Sequence, residues 1–542
     1  MTTVVTILSL LVAVILSAAL ARIAKAPAPL VQVILGAMIA MAAGASVELD
    51  PELFFLLFLP PLLFLDGWRI PREDLLRDRA VVLELALGLV VMTVLVLGLL
   101  IHWLLPATPI AVAFALAAVL SPTDPVAVTA IASHTPIPRR MLHILEGEAL
   151  LNDASGLVCM RFAVAALITG VFSPIAAIAT FLWLAIGGLA IGAGVTWGVF
   201  VLKGWTARRM GEDTGAEILI SLLIPFGAYL LAEGVHASGI LAAVAAGVTM
   251  GFVEQSGNAL AITRVRRAAV WDTVQFAANG VIFVLLGEQM PGVIAKADEA
   301  TRLAGRGGVW RLAAYVLVIT AALAALRFVW VWISLRLTIL RAGRRRVAPT
   351  GTSFRLVAAM SLAGVRGAVT LAGVLTFPLN LPDGAPFPGR DLAIFLSAGV
   401  ILTSLITASI GLPATLQKLE LPPEPSKIAE IDRARVAAAK AAVQAIEGVQ
   451  RDIVGHADAA LYAETTARIL ELYQQRIEGR LQTPEAAALR PRLERIERTL
   501  RLAGLAAERD EIYRLSRAHQ LEHESARRMI REIDLLEARY RI

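Results

Sequence analysis

Long apolar runs dominate the first four fifths of this chain. Stretches of about twenty or more mostly apolar residues recur, with short polar breaks, as far as residue 421. A hydrocarbon core of roughly 30 Å requires helices of about this length. Beyond that point Arg, Glu, Ala and Leu dominate, and no comparable run occurs. The pattern predicts a polytopic, all-α membrane domain over residues 1–420 and a soluble helical domain over residues 421–542.

Thirteen membrane spans fit the first domain. The first run lacks a positively charged leading segment and continues into a second run, which favours a retained helix over a cleaved signal peptide. The predicted spans are residues 3–22, 28–44, 51–67, 80–105, 108–133, 141–171, 174–202, 214–233, 237–253, 270–289, 309–335, 353–378 and 391–414.

The charges of the loops predict an orientation. Every second loop between the predicted spans carries Lys or Arg. The remaining loops carry almost none, apart from Lys296, Arg302 and Arg306. Positive-inside bias therefore predicts an outside N-terminus and a cytoplasmic C-terminal domain. Much of the basic excess lies in these loops, so it does not indicate nucleic-acid binding. The basic residues in alternate loops are Arg22, Lys25, Arg69, Arg72, Arg77, Arg79, Arg139, Arg140, Lys203, Arg208, Arg209, Arg264, Arg266, Arg267, Arg341, Arg344, Arg345 and Arg346.

Two predicted spans contain an interruption. The fifth contains Ser121-Pro122-Thr123-Asp124-Pro125, and the twelfth contains Gly364-Val365-Arg366-Gly367. Proline lacks an amide hydrogen, so the carbonyls preceding Pro122 lose their helical partners. Spans 4–6 and 11–13 run in opposite directions, which predicts inverted three-helix repeats with interrupted middle helices. Such pairs are typical of the binding sites of secondary transporters. A simple proline kink is the alternative, and Asp124 makes it less favourable.

The sixth predicted span carries Glu146, Glu148, Asn152 and Asp153. At about 100° per residue, Asn152 lies about 40° from Glu148 and Asp153 about 140° from it, so the two acids face different environments. Asp153 lies about 18 Å into the span, near mid-membrane, which predicts an ion cavity there. Glu148 lies closer to the cytoplasmic end and is expected to have a structural partner. Glu146 is expected to be solvated.

Glu148 requires a positive partner, because a buried carboxylate must be paired and hydrogen-bonded to offset its desolvation. Arg366 is the leading candidate, since its planar guanidinium stays protonated. Arg161 and Arg327 also occur within predicted spans, although a long arginine side chain can reach the membrane interface instead.

The expected chemistry at Asp153 is competition between a proton and a cation. Burial favours the protonated form of a carboxylate, whereas a nearby cation favours the ionised form. If the site reorients only when one of them is bound, exchange follows. A hard alkali cation prefers oxygen ligands, which Thr123, Asp124 and Asp153 provide. No cofactor is expected.

Four motifs together resemble the NhaP/NHE-type cation:proton antiporters. They occur in that family's order, and the resemblance covers roughly residues 3–415. They are Ser121-Pro122-Thr123-Asp124-Pro125, the stretch from Gly147 to Asp153, Val365-Arg366-Gly367-Ala368, and Trp271-Asp272 followed by the stretch from Asn279 to Gly287.

The resemblance implies roles for individual residues. Asp153 carries the ion and the proton, Glu148 pairs with Arg366, and Thr123 and Asp124 contribute from the interrupted helix. Asp66, which follows Pro60-Pro61, is a further acid of the site. The Asn152–Asp153 pair implies electroneutral, one-for-one exchange. Many relatives have serine where this chain has Ala149, so Thr123, Ser155 or water must substitute, and the choice between Na⁺ and K⁺ stays open.

The resemblance also implies a homodimer in the bacterial inner membrane that serves sodium transport and pH homeostasis. Core helices, about residues 80–171 and 309–414, are expected to move against dimerisation helices, about residues 3–67 and 174–289. The cation is expected to be Na⁺, with Li⁺ or K⁺ possible. A K⁺/H⁺ antiporter on the same fold is the main alternative, and a cation channel is a remote one because no filter-like loop is evident.

Three smaller features complete the sequence. His236-Ala237-Ser238-Gly239 raises the idea of an intramembrane protease, but helix capping explains Ser238 more simply. Cys159, the single cysteine, excludes an intrachain disulfide and suggests a small buried hydrophobe. The C-terminal domain, with predicted breaks near Gly455 and Pro484, is expected to regulate or to stabilise a dimer, with no identified ligand. Its His519 and His523 suggest a solvated helix face more readily than a metal site.

Overall fold

The computed structural model describes most of the chain. The chain divides into two compact units, residues 1–420 and 421–542, at the point where the composition changes. The described residues are 2–24, 26–43, 51–70, 81–132, 139–170, 174–210, 213–254, 260–295, 308–342, 354–382, 384–416, 425–452, 459–478, 484–518 and 520–541.

Helices lie over every predicted span in the first unit. We number them α1 Thr2–Ala24, α2 Ala28–Ala43, α3 Pro51–Arg69, α4 Val90–Leu104, α5 Ile110–Leu120, α6 Pro125–Ala132, α7 Arg139–Thr169, α8 Pro174–Met210, α9 Thr214–Gly234, α10 Gly239–Glu254, α11 Ala261–Ala295, α12 Gly308–Ala342, α13 Phe354–Leu362, α14 Ala368–Leu375 and α15 Arg390–Leu416. A π-helical turn, Glu84–Leu89, leads directly into α4.

Eight helical segments among the described residues are long and apolar enough to cross a membrane. Many large apolar side chains on their outer faces are exposed, including Trp183, Ile186 and Trp197 on α8 and Leu219 and Leu223 on α9. In water such faces would be costly, whereas in a bilayer they contact lipid. The first unit is therefore a multi-pass membrane domain. Its thirteen crossings and its inverted repeats stay predictions.

Both predicted interruptions are present. The fifth span consists of two short helices, α5 and α6, separated at residues 121–124, and the twelfth consists of α13 and α14, separated at residues 363–367. The fourth, sixth, eleventh and thirteenth spans pack around these short helices as α4, α7, α12 and α15. The interruptions thus lie among packed helices, where non-helical backbone is tolerated in a membrane.

A second group of helices is joined by close glycine contacts. The most extensive packing is between α2 and α11, α3 and α10, and α8 and α10. At Gly36, Gly192, Gly247 and Gly287 an added Cβ would collide with the backbone of the facing helix. Small residues allow helix backbones to approach closely in membranes, where apolar burial alone gives no preference for helix over lipid.

The start of α11 differs from the sequence prediction. The helix begins at Ala261, nine positions before the predicted span, so Arg267 lies on a helix rather than in a loop. Its guanidinium is buried, with Nη2 lying 3.6 Å from Glu217 Oε2 and Nη1 lying 3.7 Å from Glu254 Oε1. Lys203 Nζ lies 2.8 Å from Glu217 Oε1. These four charges from α8–α11 compensate one another, and a loop-charge count cannot show that.

The described residues of the second unit form four helices: α16 Pro425–Asp452, α17 Ala459–Glu478, α18 Pro484–Arg517 and α19 His523–Arg541. Helices α16 and α17 pack together, as do α18 and α19, the latter around Leu505, Ile512, Ala526 and Ile533. His519 lies outside the described residues. His523 begins α19 and is exposed. Gly455 also lies outside the described residues, and Pro484 begins α18.

Candidate ion-binding site

The two interrupted helices meet at their interruptions. The amide of Asp124 donates a hydrogen bond of 2.7 Å to the carbonyl of Val365. An added Cβ at Gly367 would collide with the Asp124 carboxylate, so the glycine permits the close approach. The carboxylate therefore lies beside the N-terminus of α14, where the helix dipole favours negative charge. Backbone groups freed in one interruption are partly satisfied by the other.

Arg366 holds the crossing together rather than pairing with Glu148. Its Nε donates to Leu120 O at 3.0 Å, its Nη1 donates to Gly364 O, and its amide donates to Ser404 Oγ at 3.2 Å. The guanidinium thus lies at the C-terminus of α5, where positive charge is favoured and the carbonyls lack helical partners. The prediction that Arg366 is the partner of Glu148 is wrong for this reason.

Glu148 pairs with Arg327, one of the two alternatives. Arg327 Nη2 donates to Glu148 Oε2 at 2.7 Å, and Nη1 donates to Oε1. Both side chains are 1 % exposed. Arg327 Nε donates to Met360 O at 2.9 Å, which ties the end of α13 to the pair. This bidentate geometry, with further bonds, is what a buried ion pair requires.

Thr123 and Asn152 extend this ion pair toward the crossing. Asn152 Nδ2 donates to Thr123 Oγ1 at 2.9 Å, and Thr123 Oγ1 donates to Glu148 Oε1 at 3.4 Å. Asn152 and Glu148 share one face of α7, as the helix angles predict. Asn152 does not line the cavity described next. It orients Thr123, which differs from the expectation that it contacts the ion.

A small cavity of about 50 Å³ lies beside the crossing. It has room for an alkali cation with water, since a cavity needs about 10–15 Å³ to hold a single water molecule. Four of the residues predicted for the site line it together: Asp66, Thr123, Asp124 and Asp153. Ala149, Asn279 and Thr370 also line it. Ser155 does not line it, and its hydroxyl donates to Leu151 O at 2.9 Å on its own helix.

The polar lining suits a monovalent cation. Three carboxylates and three neutral oxygen-bearing side chains border the cavity, and hard cations prefer oxygen ligands. Within the described ranges, no three His, Cys, Asp or Glu side chains converge as in a metal centre. The carboxylates therefore border a shared space rather than forming a tight chelate.

A much larger vestibule of about 1410 Å³ lies on the Thr169 side of Asp153. The helices α3, α7, α11 and α14 line both spaces. Their vestibule residues include Leu56, Ala154, Leu157, Val158, Gln289 and Leu375. Arg161 Nη2 lies 3.4 Å from Glu233 Oε1, joining α7 to α9 at the vestibule, with side chains 53 % and 32 % exposed. Asp153 borders the cavity and its neighbour Ala154 borders the vestibule, so adjacent residues of α7 line the two spaces.

Other predicted features lie apart from the cavity. Glu146 is partly exposed beside His143, 3.5 Å away, rather than fully solvated. Ser238 Oγ accepts a hydrogen bond of 3.3 Å from Leu241 N, so it caps α10 as expected and has no nucleophile's arrangement. Cys159 is half-buried against the apolar core.

Three site residues were not assigned from the sequence. Asn279 lies in a recognised motif, but only the approach of α11 shows that it borders the cavity. Thr370 follows Gly367 by three residues, and nothing in its local pattern marks it. Arg327 was one of three candidate arginines, and only the packing of α12 beside α13 and α4 selects it.

Known proteins are similar to this chain in sequence. A family model described as "Sodium/hydrogen exchanger, transmembrane" matches residues 7–418. An uncharacterized Na⁺/H⁺ exchanger of Escherichia coli (strain K12), YjcE, is 39 % identical over 98 % of both chains. A protein of Bacillus pumilus named "Sodium, potassium, lithium and rubidium/H(+) antiporter" is 38 % identical over 95 % of this chain and 74 % of its own.

A solved structure shares the fold. The sodium proton antiporter MjNhaP1 from Methanocaldococcus jannaschii matches with a TM-score of 0.57 and 19 % identity, over 77 % of this chain and 99 % of that one. The family match begins within α1 and extends through α15, the last helix described in the first unit. The chain therefore belongs to the sodium/hydrogen exchanger family, whose members are membrane transporters rather than enzymes.

Proposed function

We propose that this chain exchanges a monovalent cation for a proton at the cavity bordered by Asp153. The observation that carries the proposal is the gathering of Asp66, Asp124 and Asp153 at the crossing of two interrupted helices. A proton and a cation compete for Asp153, because each neutralises the same buried carboxylate. Binding of either one permits reorientation, which distinguishes an exchanger from the channel alternative.

The ion cavity changes its access from one side of the membrane to the other when one group of helices moves against a second group. Helices α4–α7 and α12–α15 form the moving core with the ion cavity, and α1–α3 and α8–α11 form the rigid group. The vestibule leads toward Asp153 from the Thr169 side, which is the outer side if the basic loops are cytoplasmic. The arrangement then corresponds to outward access, and Arg161–Glu233 is a contact between the groups that must change during transport.

Exchange at this site is one-for-one and electroneutral. The residue beside Asp153 is the neutral Asn152, which is occupied in binding Thr123 and brings no second charge to the pair. One carboxylate then carries either one proton or one monovalent cation.

Na⁺ is the first candidate for the cation and K⁺ the second. The family and the Escherichia coli relative are named for sodium, whereas the Bacillus pumilus relative is named for sodium, potassium, lithium and rubidium. Ala149 provides no oxygen to the cavity, which weakens any strict preference for the small, strongly hydrated Na⁺.

We place the protein in the bacterial inner membrane as a homodimer joined through the rigid group, with the C-terminal unit in the cytoplasm. The exposed apolar faces of α1 and α8 support this, since they require lipid or a second copy. Export of Na⁺ coupled to proton entry would serve pH homeostasis.

Purified protein in liposomes loaded with a pH-sensitive dye tests the proposed function. Addition of NaCl, LiCl or KCl to acid-loaded liposomes is expected to raise the internal pH, and choline chloride is not. Clamping the membrane potential at different values is expected to leave the rate unchanged. A lack of any cation-dependent proton movement would overturn exchange, and a strong response to potential would overturn electroneutrality.

The crossing itself can be tested at Gly367. Replacing Gly367 by alanine is expected to slow exchange strongly, because the new Cβ occupies the position of the Asp124 carboxylate. Gly194→Ala on α8 is the matched control, since no atom lies within 4 Å of a Cβ built there. Initial rates of Na⁺-driven proton movement, normalised to reconstituted protein, report the effect. Equal rates for the two variants would show that the crossing does not set the site's geometry.

A further inference from the structure

The neutral oxygens around the ion cavity are unevenly distributed. Ala149 lies on the α7 wall and carries no side-chain oxygen. Thr123 already accepts from Asn152 and donates to Glu148, so its hydroxyl is directed toward the buried ion pair. An alkali cation that loses its water needs several oxygen ligands, and carboxylates alone would hold it too tightly for release. A neutral hydroxyl from another helix is therefore expected.

Thr370 is the side chain that fits this requirement. It lines the cavity from α14 and is 1 % exposed. Its hydroxyl has no hydrogen-bond partner, a property that it shares among the buried hydroxyls of the described residues only with Ser397 on α15. A buried hydroxyl without a partner costs about 1–3 kcal/mol and requires an explanation.

The interruption of the twelfth span explains why Thr370 has no local partner. Helical hydroxyls in this protein commonly donate to the carbonyl four residues earlier, as in Thr320 to Val316 at 2.8 Å and Thr403 to Gly399 at 2.7 Å. Thr370 is the third residue of α14, so the carbonyl four positions before it belongs to Arg366, outside the helix. The usual intrahelical bond is therefore not made.

We propose that the Thr370 hydroxyl is a ligand of the transported cation and sets its apparent affinity. The proposal rests on the proposed exchange at Asp153 and adds a neutral ligand from α14. Threonine in a helix populates two side-chain rotamers, so rotation about χ1 can exchange its methyl and hydroxyl groups at the cavity. The cation would then be held by oxygens from three elements: Asp153 on α7, Asp124 in the first interruption and Thr370 after the second.

Thr370→Val and Thr370→Ser form the test pair. Valine keeps the shape of threonine and removes the hydroxyl. This variant is expected to raise the apparent KM for Na⁺ and Li⁺ about tenfold, because losing one contact to a charged group, as strong as a hydrogen bond, has an effect of this size. Serine keeps the hydroxyl and is expected to retain the wild-type KM within about threefold. Ser397→Ala removes the other unpartnered hydroxyl, which does not line the cavity, and is expected to leave KM unchanged.

Two further measurements separate coordination from a structural role. Thr370→Val removes an unsatisfied buried hydroxyl, so its thermal stability in detergent without cation is expected to equal or exceed that of the wild type, while stabilisation by added NaCl is expected to weaken. In the Thr370→Val background, Ala149→Ser adds a hydroxyl to the α7 side of the cavity and is expected to lower the KM again.

The outcomes distinguish this inference from the proposed function. If the wild type exchanges Na⁺ for protons and Thr370→Val does so with unchanged KM for Na⁺, Li⁺ and K⁺, the ligand assignment is wrong and exchange stands. If KM rises only together with loss of cation-free stability, or rises equally in Ser397→Ala, Thr370 has a packing role instead. If the wild type shows no exchange, the proposed function itself is wrong.

Discussion

Replacing Asp153 by asparagine is expected to abolish cation-driven proton movement while the protein still folds. Asparagine preserves the shape of the side chain but can neither bind the proton nor neutralise the cation. Because Asp153 is buried at the ion cavity, ions in the bulk solvent cannot replace its negative charge there. The rate in proteoliposomes is expected to fall to that of protein-free liposomes for Na⁺, Li⁺ and K⁺ alike.

Ser155→Ala is the control for the Asp153 variant, because it lies two residues further along α7 and its hydroxyl donates only to Leu151 O. It is expected to keep the wild-type rate. Elution of both variants at the wild-type position in size-exclusion chromatography verifies their folding. Persistent exchange by Asp153→Asn would remove this residue from the carrier role.

Replacing Arg327 by methionine is expected to give the largest loss of stability. The substitution leaves Glu148 buried without its bidentate partner and also removes the bond to Met360 O. Breaking a buried ion pair in this way typically costs about 3–5 kcal/mol. Unfolding of the purified protein in mixed micelles, followed as the SDS fraction rises, measures the difference in the free energy of unfolding.

Arg161→Met is the matched control for Arg327→Met, since Arg161 also lies on a membrane helix but pairs with Glu233 at a half-exposed position. Its cost is expected to stay below about 1 kcal/mol. The double variant Glu148→Gln with Arg327→Met is expected to be more stable than Arg327→Met alone, because no unpaired charge remains. Similar losses for Arg327→Met and Arg161→Met would contradict a structural ion pair at Glu148.

The placement of the helices could be predicted because their causes are local. Long runs of apolar residues predict membrane-spanning helices, and Pro122 and Gly364 mark positions where a continuous helix is disfavoured. The shared face of Glu148 and Asn152 also follows from helix geometry alone. The observed bonds of both side chains to Thr123 agree with that angle.

The partners within the site could not be predicted, because they depend on packing between distant segments. Arg366 is attractive as an ion-pair partner until the carbonyls freed at Leu120 and Gly364 are known to lie beside it. Arg327 becomes the partner only because α12 packs against α13. Thr370 is an ordinary threonine in the sequence, and its burial without a partner depends on where α14 begins.

Proton release on cation binding tests the central claim most directly. Titration calorimetry of NaCl into purified protein, in two buffers with different ionisation enthalpies, gives the number of protons released for each ion bound. One proton per Na⁺ is expected at acidic pH, where Asp153 carries the proton, falling toward zero at alkaline pH, where it is already ionised. Asp153→Asn is expected to show no linked release. Sodium binding that releases no proton at any pH, or release that persists in Asp153→Asn, would contradict competition for one carboxylate.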